Sequence, residues 1–256
     1  MRKSGAVCAL LLSIIFSVPG KPARSENYVP QADCNGRCVI LLHGLARTAS
    51  SMKKLEKALA ASGYCTINTG YPSTETPVEE IVKDHLPEMI GQCRSKGATR
   101  IDFVTHSLGG ILVRAYLQEN LIPEGSRIVM IGPPNHGSPI VDRLKNVFLF
   151  KWVNGPAGQV LGTGADSLPN TLAPVSAEIG IIAGNRSFNP LFSAIIFGDD
   201  DGKVSVESAK LDEMADFLIV PCTHTFMMNN DAVIRQTIFF LENGRFEGEE
   251  EEKGRK

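Results

Sequence analysis

The sequence predicts an α/β fold with a mostly parallel central sheet and helices on both faces. Three observations predict it. Four short apolar runs in the first half alternate with stretches of helical periodicity, the signature of a parallel sheet. The same rhythm resumes after residue 178 with two more apolar runs and a closing helix. The chain has 256 residues, 43% hydrophobic and 21% charged, enough apolar material for the core of one globular domain. The formal net charge of -2 leaves no basic surplus, so no nucleic-acid partner is expected.

The elements follow in order. Residues 38–42 form a continuous apolar run, as expected of a strand buried on both faces. Met52, Leu55 and Leu59 then recur at helical spacing, with Ser50 or Ser51 as a cap and Gly63 at the closing position. Residues 64–67 read as the next strand. Thr76-Pro77-Val78-Glu79 reads as a capping box with proline at the first helical position, opening a helix to Cys93 that kinks near Pro87. Residues 101–104 are a third strand, followed by the helical stripe Leu108, Ile111, Leu112 and Ala115. Residues 127–131 are a fourth strand. The rhythm breaks over 139–178, a Gly- and Pro-rich stretch that holds Phe148, Leu149, Phe150, Trp152 and Val153. Strands return at 179–183 and 217–220, and the last helix, 231–241, carries Ile234, Ile238 and Leu241 on one face.

The two ends differ from this body. Arg2 and Lys3 precede an uncharged apolar run of 13 residues, 6–18, and Ala23-Arg24-Ser25 has small residues at cleavage spacing. Residues 1–25 therefore read as a signal peptide, with an uncleaved membrane anchor as the alternative. Its loss removes four basic residues and no acidic one, which brings the net charge to -6. Residues 26–246 are the expected domain and 247–256 a charged, solvated tail. An exported chain can keep disulfides, but the five cysteines after residue 25 leave at least one unpaired in a monomer. Their pairing stays open, and a buried free thiol is the plain expectation for Cys65 and Cys93. Cys34 and Cys38 have no second cysteine pair or histidine cluster to make a zinc site, and no metal is expected.

The chemistry centres on Val104-Thr105-His106-Ser107-Leu108-Gly109-Gly110, between a strand and a helix. A serine on such a turn has its hydroxyl pushed out above the sheet, and small residues must flank it because strand and helix pass close together. Gly109 meets that need; Thr105 stands where glycine is usual. The serine requires a base to take its proton. Of His43, His85, His106, His136 and His224, only the last two follow Ser107, and only His224 leaves room for an acid loop between. His136 is expected to shape the pocket rim. Asp199-Asp200-Asp201-Gly202 offers the acid, Asp201 ahead of Asp200, with the remaining aspartates as turn-formers. An oxyanion would be met by the N–H of Leu108, directly after the serine, and by that of Leu45 in His43-Gly44-Leu45.

Together His43-Gly44-Leu45, Thr105-His106-Ser107-Leu108-Gly109 and Asp201-Gly202-Lys203-Val204, with a histidine 23 residues after that aspartate, resemble the bacterial α/β-hydrolase lipases and esterases. The resemblance covers about 38–246. It implies an α/β-hydrolase fold and a carboxylic ester hydrolase that works through an acyl-enzyme on Ser107, Asp201 and His224, with no cofactor. It also implies that 139–178 is a small cap insert over the site. Phe148 and Trp152 are then expected, with His136, to line a substrate pocket or a lid that touches lipid surfaces, although a core internal to the insert explains them equally well. The substrate is a small-molecule or lipid ester. Two alternatives stay open: an acyltransferase or thioesterase on the same triad, and an inactive α/β-hydrolase-fold binding protein. Oligomeric state is not legible.

Overall fold

Alternating side chains of a strand point to opposite faces, so a strand that is apolar at every position must be covered on both. The strand β1 (Arg37–Leu42) shows this: Cys38, Ile40 and Leu42 join one hydrophobic cluster, Val39 and Leu41 the other. The computed structural model describes residues 36–248, apart from the side chain of Leu149. The segment read as a signal peptide, Cys8, Cys34 and residues 249–256 lie outside the described residues.

β1 is followed by β2 (Cys65–Ile67), β3 (Arg100–His106), β4 (Arg127–Ile131), β5 (Glu178–Gly184) and β6 (Asp216–Val220). All six pair in parallel, in the order β2-β1-β3-β4-β5-β6. The fold class and all six expected strands are therefore present. On one face lie α1 (Lys53–Ala61), reached through a 3₁₀ turn at Ala49–Met52, and a C-terminal helix over Asp231–Asn243. On the other lie α2 (Val78–Ser95) and α3 (Leu108–Tyr116).

Two expected caps do not form. Ser50 and Ser51 fall inside the 3₁₀ turn, where Ser51 Oγ donates to the Thr48 carbonyl and Ser50 Oγ shares a hydrogen bond with Thr48 Oγ1. Their oxygens are engaged one turn before the α-helix starts. The helix α2 begins at Val78, with Pro77 as the flanking residue, so Thr76 sits one position too early for a capping box. Gly63 does close α1, with φ of 85°.

Cys38 and Cys93 form a disulfide that ties β1 to α2, and Cys65 is disulfide-bonded too. The expectation of free thiols at Cys65 and Cys93 is thus corrected. Among the described residues the free cysteine is Cys222, buried after β6, where loss of hydration and then the Asp201 charge push its thiol up to about 11. The irregular stretch 139–178 is helical in three pieces: α4 (Pro139–Leu144), α5 (Phe148–Gln159) and α6 (Leu168–Thr171). α5 is broken at Gly155, which has a φ of 58° and passes so close to Thr74 that a Cβ would meet its carbonyl oxygen, so both conditions call for glycine. Two short helices, α7 (Pro190–Ser193) and α8 (Val206–Ala209), precede β6, and α9 is the C-terminal Asp231–Asn243. At the end of the expected domain Phe246 packs on Phe240, and Gln236 exchanges hydrogen bonds with the backbone of Glu247, which is buried rather than solvated.

Candidate active site

In an open parallel sheet, ligands gather beyond the carboxyl ends of the strands. Here β1, β3, β4 and β6 each end in a loop that supplies part of one constellation, and the long segment after β5 supplies another part.

Ser107 joins β3 to α3 with φ of 53°, a left-handed conformation that is strained for any residue with a Cβ. Its N–H donates to the Ile131 carbonyl at 2.9 Å, which fixes the turn to β4. Gly109 lets the helix start so close to β1 that a Cβ would lie 2.6 Å from the Leu42 carbonyl oxygen. Thr105, where glycine is usual, is fully buried in β3, and its hydroxyl lies 3.5 Å from the Val129 carbonyl oxygen.

The structure brings Ser107, Asp201 and His224 together. His224 Nε2 lies 3.0 Å from Ser107 Oγ, and His224 Nδ1 lies 2.7 Å from Asp201 Oδ2. An ionised carboxylate only accepts, so Nδ1 carries the proton and Nε2 is left to accept from the serine hydroxyl. The carboxylate is held from its other side: Asp201 Oδ1 accepts from the N–H groups of Lys203 and Val204, at 3.0 and 2.9 Å. The backbones are locked as well, His224 N–H donating to the Asp201 carbonyl at 2.9 Å. Asp200 points elsewhere and accepts from Ser193 Oγ and the Gly202 N–H, the turn-forming role expected of it. Asp199 is exposed, and its backbone carbonyl accepts from Val206.

Three supporting features escaped the sequence. Gly132, at the end of β4 with φ of 57°, makes room for the acid–base pair: a Cβ there would meet Asp201 Oδ2 at 3.2 Å and His224 Nδ1 at 3.3 Å. His106 is buried, and its Nε2–H donates to the His224 carbonyl at 3.0 Å. Burial, and then the neighbouring His224, hold His106 well below the usual histidine range, so it is a neutral prop. The loop after β1 is stiffened by Tyr71, whose ring stacks on His43 at 4.0 Å and whose hydroxyl donates to the His43 carbonyl. The Tyr71 N–H reaches His43 Nε2, and His43 Nδ1–H donates to the Gly44 carbonyl, which sets the His43 tautomer. Burial lowers the basicity of His43. Among the described residues, the N–H groups of Leu45 and Leu108 find no protein acceptor.

A cavity of about 320 Å³ opens above Ser107. Its apolar wall comes from Ile140, Val141 and Leu144 of α4, Phe150 and Val153 of α5, and Leu161. Its polar end holds Arg47, His106, Ser107, Lys203 and His224, with no acidic side chain among the lining residues. The expected pocket residues are corrected here. Phe148 and Trp152 are 81% and 74% exposed and do not line the cavity. One turn apart, they share the outer face of α5, whereas Phe150, Val153 and Asn154, at i, i+3 and i+4, share the inner one. His136 is exposed, also lies off the cavity, and bonds through Nδ1 to Asn170 Oδ1 at 3.1 Å. Ile140, Val141 and Leu144 have a helical spacing that could have marked α4 as a lining element. The side chain of Leu149, in the same apolar cluster, lies outside the described residues.

Among the described residues no cluster of His, Cys, Asp or Glu is placed to hold a metal ion, and no helix is long and apolar enough to cross a membrane. No family model matches the sequence, and no curated protein does. Solved structures do. A Bacillus licheniformis lipase in mature form superposes with a TM-score of 0.67 at 17% identity, over 80% of this chain and 92% of the lipase. A metagenomic carboxyl esterase matches with a TM-score of 0.56 at 17% identity, over 82% of this chain and 71% of the esterase. A Paleococcus ferrophilus monoacylglycerol lipase matches with a TM-score of 0.54 at 15% identity, over 81% and 94%. At such identities the likeness speaks for architecture, and with the parallel sheet and its loops it establishes that this chain has the α/β-hydrolase fold.

Proposed function

We propose that this chain is a serine hydrolase that cleaves carboxylic esters through an acyl-enzyme. The observation that carries the reading is the continuous relay from Asp201 through His224 to Ser107, at 2.7 and 3.0 Å, set on a strained strand-to-helix turn beneath a cavity. Ser107 Oγ attacks the ester carbonyl while His224 Nε2 takes its proton, and Asp201 stabilises the imidazolium that forms. The N–H groups of Leu45 and Leu108 meet the oxyanion. His224 then returns the proton to the departing alkoxide, and water repeats the sequence on the acyl-enzyme. No cofactor takes part. That the structural neighbours are lipases and an esterase supports the same reaction class.

The substrate is a small-molecule or lipid ester, and the exposed Phe148 and Trp152, beside a cavity lined by their own helix, favour contact with a lipid surface. We also propose export after cleavage near Ser25, a reading supported by the Cys38–Cys93 disulfide, since such bonds persist in oxidising compartments. A fluorophosphonate probe tests the mechanism. It should label the wild type at Ser107 and leave a folded Ser107→Ala variant unlabelled and inactive; labelling at another residue would overturn it.

A further inference from the structure

Arg47 lies two residues beyond Leu45 and lines two cavities at once. One is the apolar cavity above Ser107. The other, also about 320 Å³, is lined by Arg47, by polar residues that include Thr48, Ser50, Ser51 and Asn229, and also by Phe226 and Met228. An ester seated over Ser107 has an acyl side and an alcohol side, and these two spaces differ in chemistry as those two sides do. The wall of the first is mostly hydrocarbon; the second offers a guanidinium beside polar residues.

We infer that the polar cavity takes the alcohol side of the ester, and that this alcohol carries a phosphate held by Arg47. The inference rests on the ester-hydrolase reading and narrows it to acyl esters of phosphorylated alcohols. Among the described residues Arg47 has no carboxylate partner, and neither has Lys203, the second cation of the catalytic cavity. The acid nearest in effect is Asp201, but both its oxygens are taken, by His224 on one side and the Lys203 and Val204 N–H groups on the other. Two cations therefore face the same site without a counter-ion. They feel each other: partial removal from water, then the Arg47 guanidinium, lowers the basicity of the Lys203 ammonium against the pull of Asp201. An ordinary surface cation is solvated and serves one face; Arg47 stands at the junction of two cavities, next to the loop that supplies an oxyanion donor. Its planar fork matches two phosphate oxygens, and the one hydroxyl proton of the Thr48–Ser50 pair that their mutual hydrogen bond leaves free can be donated to a third.

The test compares two monomeric esters with one acyl chain, 1-octanoylglycerol 3-phosphate and 1-octanoylglycerol, on the wild type, Arg47→Gln and Arg47→Lys. The readout is the ratio of their kcat/KM values, which is internal to each protein and cancels any loss of folded enzyme. The wild-type ratio should exceed one, Arg47→Gln should lower it about 10- to 100-fold, the worth of a charge-assisted hydrogen bond, and Arg47→Lys should recover part of it. A wild-type ratio of one or less, or a ratio unchanged in Arg47→Gln, overturns the phosphate assignment and leaves the hydrolase standing. Failure of the wild type to cleave either ester, or p-nitrophenyl butyrate, overturns the hydrolase reading itself.

Discussion

Replacing Asp201 by asparagine isolates one proton. The asparagine Oδ1 keeps the bonds from the Lys203 and Val204 N–H groups, so the loop stays closed. Its Nδ2 then faces His224 Nδ1 across the 2.7 Å contact and can only donate. Nδ1 must accept, the ring proton moves to Nε2, and Nε2 now presents a hydrogen to Ser107 Oγ where it has to receive one. On the precedent of the serine-protease triad the loss in kcat is about 10⁴-fold, or about 5 kcal/mol of barrier. Alanine is the poorer probe, because it strands the buried Val204 N–H at about 1–3 kcal/mol, leaves the part-buried Lys203 N–H without its acceptor, and mixes stability with catalysis. Asp200→Asn is the control: its oxygen still accepts from Ser193 and Gly202, and activity should stay within about threefold, since an amide oxygen replaces a carboxylate oxygen in a turn. Initial rates on p-nitrophenyl butyrate, with a melting curve for each variant, decide it. A folded Asp201→Asn variant with more than a tenth of wild-type activity, or an Asp200→Asn variant equally crippled, would refute the reasoning.

Gly132→Ala should lower kcat about 100-fold, because a Cβ at φ of 57° pushes on both partners of the acid–base pair; a fully active variant would show that the pair yields freely. The double variant Cys38→Ala/Cys93→Ala should lose about 4 kcal/mol, the chain-entropy value for a loop of 55 residues, and melt about 10 °C lower; an unchanged Tm would refute it. Along an acyl-chain series, wild-type kcat/KM should rise about fourfold per methylene until the cavity is full. Phe150→Ala should change that rise and Trp152→Ala should not, since only Phe150 lines the cavity; the reverse pattern would contradict the lining.

The sheet was legible because its central strands are buried on both faces and leave apolar runs between turn signals, most completely in β1 and β4. The pairing of Ser107 with Asp201 and His224 was legible because a parallel sheet with fixed connections constrains the order in which loops reach the same edge. Other features left weaker traces. Thr76 and Ser50 carry the right chemistry for caps, but a shift of one residue, or a 3₁₀ turn ahead of the helix, removes the bond, and no local pattern reports that shift. Gly132 acts on Asp201 and His224, 69 and 92 residues further along the chain, and Tyr71 on His43, 28 residues back, partners that only the folded sheet assembles. Phe148 and Trp152 misled because apolar composition says which residues seek cover, whereas helix phase decides which of them receive it.

That outward phase has a practical result. Trp152 is the only tryptophan in the chain, and it is 74% exposed on the outer face of α5. Its emission therefore reports the insert's surface and is almost blind to the sheet. A denaturation curve followed by tryptophan fluorescence would stay nearly flat while the core melts, and far-ultraviolet circular dichroism is the signal to follow instead. The same blindness makes Trp152 an unlabelled optical reporter, since a blue shift on adding lipid vesicles would register contact at that face without interference from the rest of the molecule.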